Sequence, residues 1–336
     1  MMERSEGSNR AASREIREST WYRELPPDVR QTLRLLSQVE PRYNVVVLVF
    51  VTLWAAAYAA MTAWPVWPVR FAGYLLIGAV LHAFGVLVHE AVHGNLFRRR
   101  SLDRWVGFLL GIPVLMSAEA YRVAHLVHHR HTRDPDDPDD LAFRIKNPRG
   151  RSVAFYLLGL IGLFVFLVHV PHQGLRHGSR RQRVRIAGEY AAIAGICVVV
   201  LLVALRQDGM VHLVHGWLLP AVVTLAFVNV RGWAEHLLTE PGHPLTRSRT
   251  VTSNAPMSLL MCNVNYHLEH HLLPGVPWYN LPRMHAVLRP TYEEAGAFIY
   301  SSYLHFLWDA VRTGVHGLAP ERSAAHGSTG TWPSTS

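Results

Sequence analysis

Lysine is nearly missing from this 336-residue chain: Lys146 is the sole one against a combined lysine and arginine count of 33. That bias is the mark of a GC-rich bacterial genome, and so of a bacterial cell membrane as the expected location. Cysteine is scarce too. Cys197 and Cys262 are too few and too far apart for a disulfide framework, a zinc knuckle or an iron–sulfur site, so any metal must be held by histidine or carboxylate. Charge is absent altogether from Tyr43 to Val69 and again from Phe71 to Val88. The first 42 residues alternate arginine with glutamate and hold no apolar core of the kind a secretory signal needs, so no cleaved leader is expected. No internal repeat stands out.

What the chain does have is apolar mass. Apolar residues make up 50% of it and mean hydropathy is above zero, which points to the membrane class. A net charge of +9 would suit a nucleic-acid partner, but the arginines alternate with long apolar runs instead of lining one polar face. No nucleic acid is expected.

Residues 1–42 read as a polar cytoplasmic arm, helical near Asp28–Val39. Val45–Trp64 is a span, Pro65 and Pro68 make the turn, and Phe71–Val88 returns across the roughly 20 residues that a bilayer requires. Trp105–Met116 is too short to cross and reads as re-entrant or interfacial. The run Asp134-Pro135-Asp136-Asp137-Pro138-Asp139-Asp140 is a proline-broken, solvent-facing loop. Three more apolar segments follow: Val153–Val170, Tyr190–Leu205 and Leu213–Val230. Pairing the second with the third leaves only Arg70 and Arg206 on the outer face, as the excess of basic residues on the cytoplasmic side demands. The expected fold is therefore all-α and integral to a membrane. Four transmembrane helices form two hairpins, two segments (105–116 and 153–170) are partly inserted, and a histidine-rich cap is cytoplasmic. The domain reading is an arm at 1–42, a membrane domain at 43–316 and a disordered Gly/Ser/Thr/Pro tail at 317–336.

Three histidine clusters lie beside the predicted membrane boundaries: His89-Glu90-Ala91-Val92-His93, His125-Leu126-Val127-His128-His129 and His267-Leu268-Glu269-His270-His271. On a helix, residues three and four apart share a face, so each cluster presents its imidazoles side by side. Imidazole suits iron, zinc and copper, whereas magnesium and calcium want oxygen. So many histidines oversupply one tetrahedral zinc but suit two metals with positions open to dioxygen or substrate. His236, at the end of the last span, is placed to join them. His82, His169, His285 and the other single histidines are read as ordinary hydrogen-bonded side chains, Trp278 and Tyr279 as interfacial anchors, and the Arg98–Arg100 run as a positive-inside signal.

The order and spacing of the clusters resemble the membrane-bound fatty acid desaturase and hydroxylase superfamily, whose pattern is one His-x-x-x-His box and two His-x-x-His-His boxes. The match covers roughly Val45–Leu288. It implies that His89, His93, His125, His128, His129, His267, His270 and His271 ligate a non-haem di-iron centre, with His236 as the lone histidine after the fourth span and O2 as co-substrate. In some members an asparagine four residues before that histidine serves the metal through water; Gly232 stands there in this chain, and Asn229, Asn263 and Asn265 are the candidate substitutes. Glu90, Glu235, Glu269 and Asp134 are candidates to orient the imidazoles by accepting their other ring N–H.

The implied activity is oxygen-dependent desaturation of an acyl-lipid or acyl-thioester. The alternative is hydroxylation or ketolation of a carotenoid or other apolar compound, since hydroxylases and ketolases share the boxes. A long apolar substrate and an external electron donor, of ferredoxin or cytochrome b5 type with its reductase, are the expected partners. The chain has no His-Pro-Gly-Gly signature, which Pro241-Gly242-His243-Pro244 only superficially resembles. Two rival readings of the histidines remain open. His89-Glu90-Ala91-Val92-His93 also satisfies the H-E-x-x-H zinc-protease pattern with Glu90 as base, and paired histidines on spans could ligate a haem.

Overall fold

The computed structural model describes residues 20–139, 167–237, 239 and 243–313. Two short helices, α1 (Thr20–Glu24) and α2 (Pro27–Leu36), precede the membrane region. A 3₁₀ turn at Pro41–Val45 leads into α3 (Val46–Ala63), and α4 (Trp67–His93) returns beside it. The second hairpin is α7 (Arg180–Arg206) followed by α8 (Met210–His236), so the two pairs give four helices long and apolar enough to cross a membrane. Their first members, α3 and α7, expose Leu48, Val49, Val199 and Leu202 at 43% or more, as lipid-facing positions should.

Helix α4 is the central post, packed against α3, α8 and the shorter α5 (Arg100–Gly111). Its contact with α8 is close because residue 78 is glycine: a Cβ there would meet Val223 Cβ at 2.8 Å and Pro220 O at 2.9 Å. Thr224 Oγ1 then donates to Gly78 O at 2.9 Å. Gly94 ends α4 in the left-handed region, φ +78°, where a side chain would be strained, and Asn95 N donates back to Glu90 O.

Between the hairpins, α5 is followed by a sharp bend. It runs through a 3₁₀ turn at Ile112–Val114 into α6 (Ala118–His131), the segments Arg100–Val114 and Ala118–His131 being bent by 100°. A bend of that size fits a broken span or a re-entrant segment, the second being the shape expected for 105–116. Ser117 caps α6 by accepting from Ala120 N at 3.0 Å. Most of the predicted segment Val153–Val170 lies outside the described residues, with 167–177 helical, and the tail at 317–336 lies wholly outside them.

Beyond α8 the chain forms a small cap. The strands β1 (Thr250–Val251) and β2 (Ile299–Tyr300) pair in parallel, Thr250 opposite Ile299, and between them lie α9 (Ala255–Leu260), α10 (His267–Leu272) and α11 (Leu281–Ala295). Helix α12 (Tyr303–Thr313) closes the described chain. The N-terminal helices dock here: Trp21, Tyr22, Leu25 and Leu33 are buried in one cluster with Leu268, Leu272, Met284 and Tyr292.

Two expectations are corrected. Trp278 is buried at 6% exposure, its backbone N donating to Glu90 Oε2 at 2.9 Å, so it is a packing residue and not an interfacial anchor; Tyr279, half-buried, stacks on Tyr43 with centroids 4.0 Å apart. The acidic loop is not wholly solvated either, because Asp137 is 2% exposed.

Candidate metal centre

Each histidine box sits at a helix end, and the ends meet. His89 and His93 close the last turn of α4, His125, His128 and His129 lie on α6, His236 ends α8, and His267, His270 and His271 form half of α10. All nine come together. One ligand atom from each of His89, His93, His125, His129 and His270 falls within 4.8 Å of the others; so do His128, His236 and His271, and, through the same His236, Glu235 and His267. The two cages abut where the His129 and His271 rings stack at 4.3 Å.

The atoms that converge are all Nε2. His89 and His270 approach to 2.8 Å, His270 and His129 to 3.0 Å, His129 and His125 to 2.9 Å, and His125 and His93 to 3.0 Å. In the second cage His236 and His271 lie 2.8 Å and 3.0 Å from His267. A neutral imidazole Nε2 has either one proton or one lone pair, so it cannot serve two such neighbours as a hydrogen-bonding group. It can serve a cation between them. Burial also holds His267, His270 and His271 well below the usual imidazole range, in the neutral form that a metal requires. On donor chemistry and geometry the residues fit a pair of nitrogen-loving metal ions.

The opposite ring nitrogens show what orients the cage. His128 Nδ1–H donates to Asp137 Oδ1 at 2.8 Å, and His271 Nδ1 lies 3.3 Å from Thr132 Oγ1. Glu90 Oε1 lies 3.4 Å from His89 Nδ1, and Glu235 Oε2 3.4 Å from His267 Nδ1. The other two carboxylates named from the sequence do something else. Glu269 accepts from His285 Nδ1 at 2.6 Å and from Thr250 Oγ1, tying α10 to α11 and β1, while Asp134 is exposed. Asp137 takes the role foreseen for Asp134, in a loop of several aspartates that offers no sequence signal to choose among them. Asn265 Nδ2 is spent on Val251 O at 2.7 Å, and Asn229 faces the cavity described next.

That cavity, of about 480 Å³, runs between α4 and α8 from His89 into the membrane region. Leu81, Val86, Leu115, Met116 and Leu225 wall it, and Tyr121, stacked on His125 at 5.0 Å, stands at the metal end. Trp217 Nε1 donates to Pro113 O at 2.7 Å, fixing the 3₁₀ turn against α8.

The geometry disposes of both rival readings. Glu90 sits behind His89 on its Nδ1 side, held by Asn95 and Trp278, and so cannot act as a base toward a ligand in the cage. Nε2 atoms 2.8–3.0 Å apart leave no room for a haem between them.

A helical membrane frame whose helix ends gather a buried polyhistidine cage, with an apolar cavity leading to it, defines a class of membrane enzymes that act on apolar molecules. Comparison with known proteins agrees. The fatty acid desaturase family matches residues 65–303. A sphingolipid delta(4)-desaturase/C4-monooxygenase of Homo sapiens is 28% identical over 293 residues, 83% of each chain. An sn-1 oleoyl-lipid 12-desaturase of Picosynechococcus sp. is 26% identical over 289 residues, 79% of this chain and 80% of the relative. The chain belongs to the fatty acid desaturase family and is an oxidoreductase of that kind.

Proposed function

We propose that the protein is an oxygen-dependent desaturase of a lipid-borne or thioester-borne acyl chain, with His89, His93, His125, His128, His129, His236, His267, His270 and His271 holding two iron ions. The observation that carries this reading is the convergence of Nε2 atoms into two abutting cages at the head of an apolar cavity. Iron held there would supply dioxygen activation and the oxidising power that acid–base groups lack against an unactivated C–H bond. The rest falls to the chain's own residues. Val86, Leu115 and Met116 keep water from the alkyl chain, the narrow space between α4 and α8 fixes which carbons lie beside His89, and Asp137 and Glu235 hold imidazoles in register.

In the balanced reaction a two-carbon segment loses two hydrogens and becomes a double bond. Dioxygen, with two electrons and two protons, leaves as two waters. The electrons come from a separate ferredoxin-type or cytochrome b5-type donor. Relatives named for sphingolipid and oleoyl-lipid desaturation support a lipid chain as substrate. The distribution of arginine, with Arg70 and Arg206 at the ends of the spans away from the histidines, supports a cytoplasmic site, and the near-absence of lysine a bacterial membrane.

Lipid analysis of a host expressing the protein tests the reading. Wild type yields lipids lighter by two hydrogens and His270→Ala yields none. Products heavier by one oxygen would turn the assignment to hydroxylation, and an unchanged lipid pool in the presence of a working electron donor would contradict it.

A further inference from the structure

Two polar groups in the cavity wall do not suit a plain hydrocarbon occupant. His82 is 3% exposed, lines the cavity, and its Nε2 is buried without a hydrogen-bond partner among the described residues. Its ring neighbour is apolar: Phe227, with centroids 6.0 Å apart. Arg231 lines the same cavity, with Nε 3.3 Å from Glu235 Oε2. Burying an imidazole unpaired is unfavourable, and the leucines and valines around it show what an all-hydrocarbon wall would use instead. His82 also lies on the cavity face of α4, seven residues before His89, which places it two turns and about 10 Å deeper along the helix.

We propose that the cavity takes a long apolar chain carrying a hydrogen-bonding oxygen, a hydroxyl or carbonyl, beyond the carbons that meet the metal centre, and that His82 Nε2 is its partner. The inference rests on the cavity being the substrate channel, as argued under Proposed function. A neutral oxygen fits better than a carboxylate, because Glu235 already balances the Arg231 charge and a second anion would have to be desolvated without a free cation to meet it. An extended chain advances roughly 1.2 Å per bond, so the oxygen belongs about six to nine bonds from the oxidised carbons.

The test is a binding series on the full-length protein in detergent. Methyl octadecanoate and its mono-hydroxylated isomers, with the hydroxyl moved stepwise along the distal half of the chain, compete against a fluorescent acyl probe. Wild type is expected to favour a narrow window of hydroxyl positions by about five- to tenfold over the unsubstituted ester. His82→Leu loses that preference, and His82→Gln, which retains a donor and an acceptor, keeps part of it. Equal binding of all isomers by wild type, or the same preference in His82→Leu, overturns the proposal while leaving the desaturase reading intact. Failure of every ester to displace the probe overturns both.

Discussion

The Nε2 atoms of His89 and His270 lie 2.8 Å apart although 181 positions separate them in the chain. His270 Nε2 is at the same time 3.0 Å from that of His129, a crowding that hydrogen bonds alone do not satisfy. On the proposed reading a cation resolves it, and folding of the cap is then coupled to metal binding. Stripping the metal with a membrane-permeant chelator should therefore lower the thermal midpoint of the detergent-solubilised protein, and ferrous iron should restore it. Ligand linkage makes the effect about 4 kcal/mol when free metal is a thousandfold above its Kd. An unchanged midpoint after complete stripping would separate the cage from metal binding.

Asp137 accepts the Nδ1–H of His128 at 2.8 Å and also takes the backbone N–H of Arg133 at 2.9 Å. Replacing it by alanine removes the closest carboxylate partner of the His128 ring and loosens the loop. Metal affinity should fall by about 10- to 100-fold, read as iron retained per chain against a graded chelator. Asp134→Ala, at an exposed position of the same loop, should retain iron as wild type does.

Glu90 separates the desaturase from a zinc hydrolase. Its carboxylate braces Trp278 N and Asn95 Nδ2 and faces the Nδ1 side of His89. In Glu90→Gln one carbonyl oxygen still accepts, so oxidation should be weakened and iron partly lost without vanishing. Complete loss of activity with full metal occupancy would instead give Glu90 a direct chemical role.

Leu33 is 1% exposed, in the cluster that also buries Leu268 and Leu272 of α10. Leu33→Ala should cost about 2–5 kcal/mol and lower the thermal midpoint. Because the damage falls behind the third histidine box, iron should also leave more readily. A variant as stable as wild type would mean that α1 and α2 are dispensable to the cap.

The spans and the histidine faces are legible in the sequence because both rest on local periodicity. An uncharged run of span length and a His-x-x-His-His spacing need no distant partner to be read. What the local pattern cannot carry is contact between distant segments. Trp278 beside Tyr279 near a membrane boundary looks like an anchor until Glu90, 188 positions away, is seen to hold its backbone N. Glu269 lies inside a box and yet turns to His285 and Thr250, because α10 presents that side to the cap. The arm looks solvated from its charge, but Trp21, Tyr22 and Leu33 are enough apolar surface to dock it.

Elemental analysis of the purified, unstripped protein beside its visible spectrum tests the central claim most directly. The two abutting cages predict about two irons per chain and no haem band, and a marked loss of iron in His270→Ala and His236→Ala. One zinc and no iron per chain, or a haem absorption band, would contradict the account.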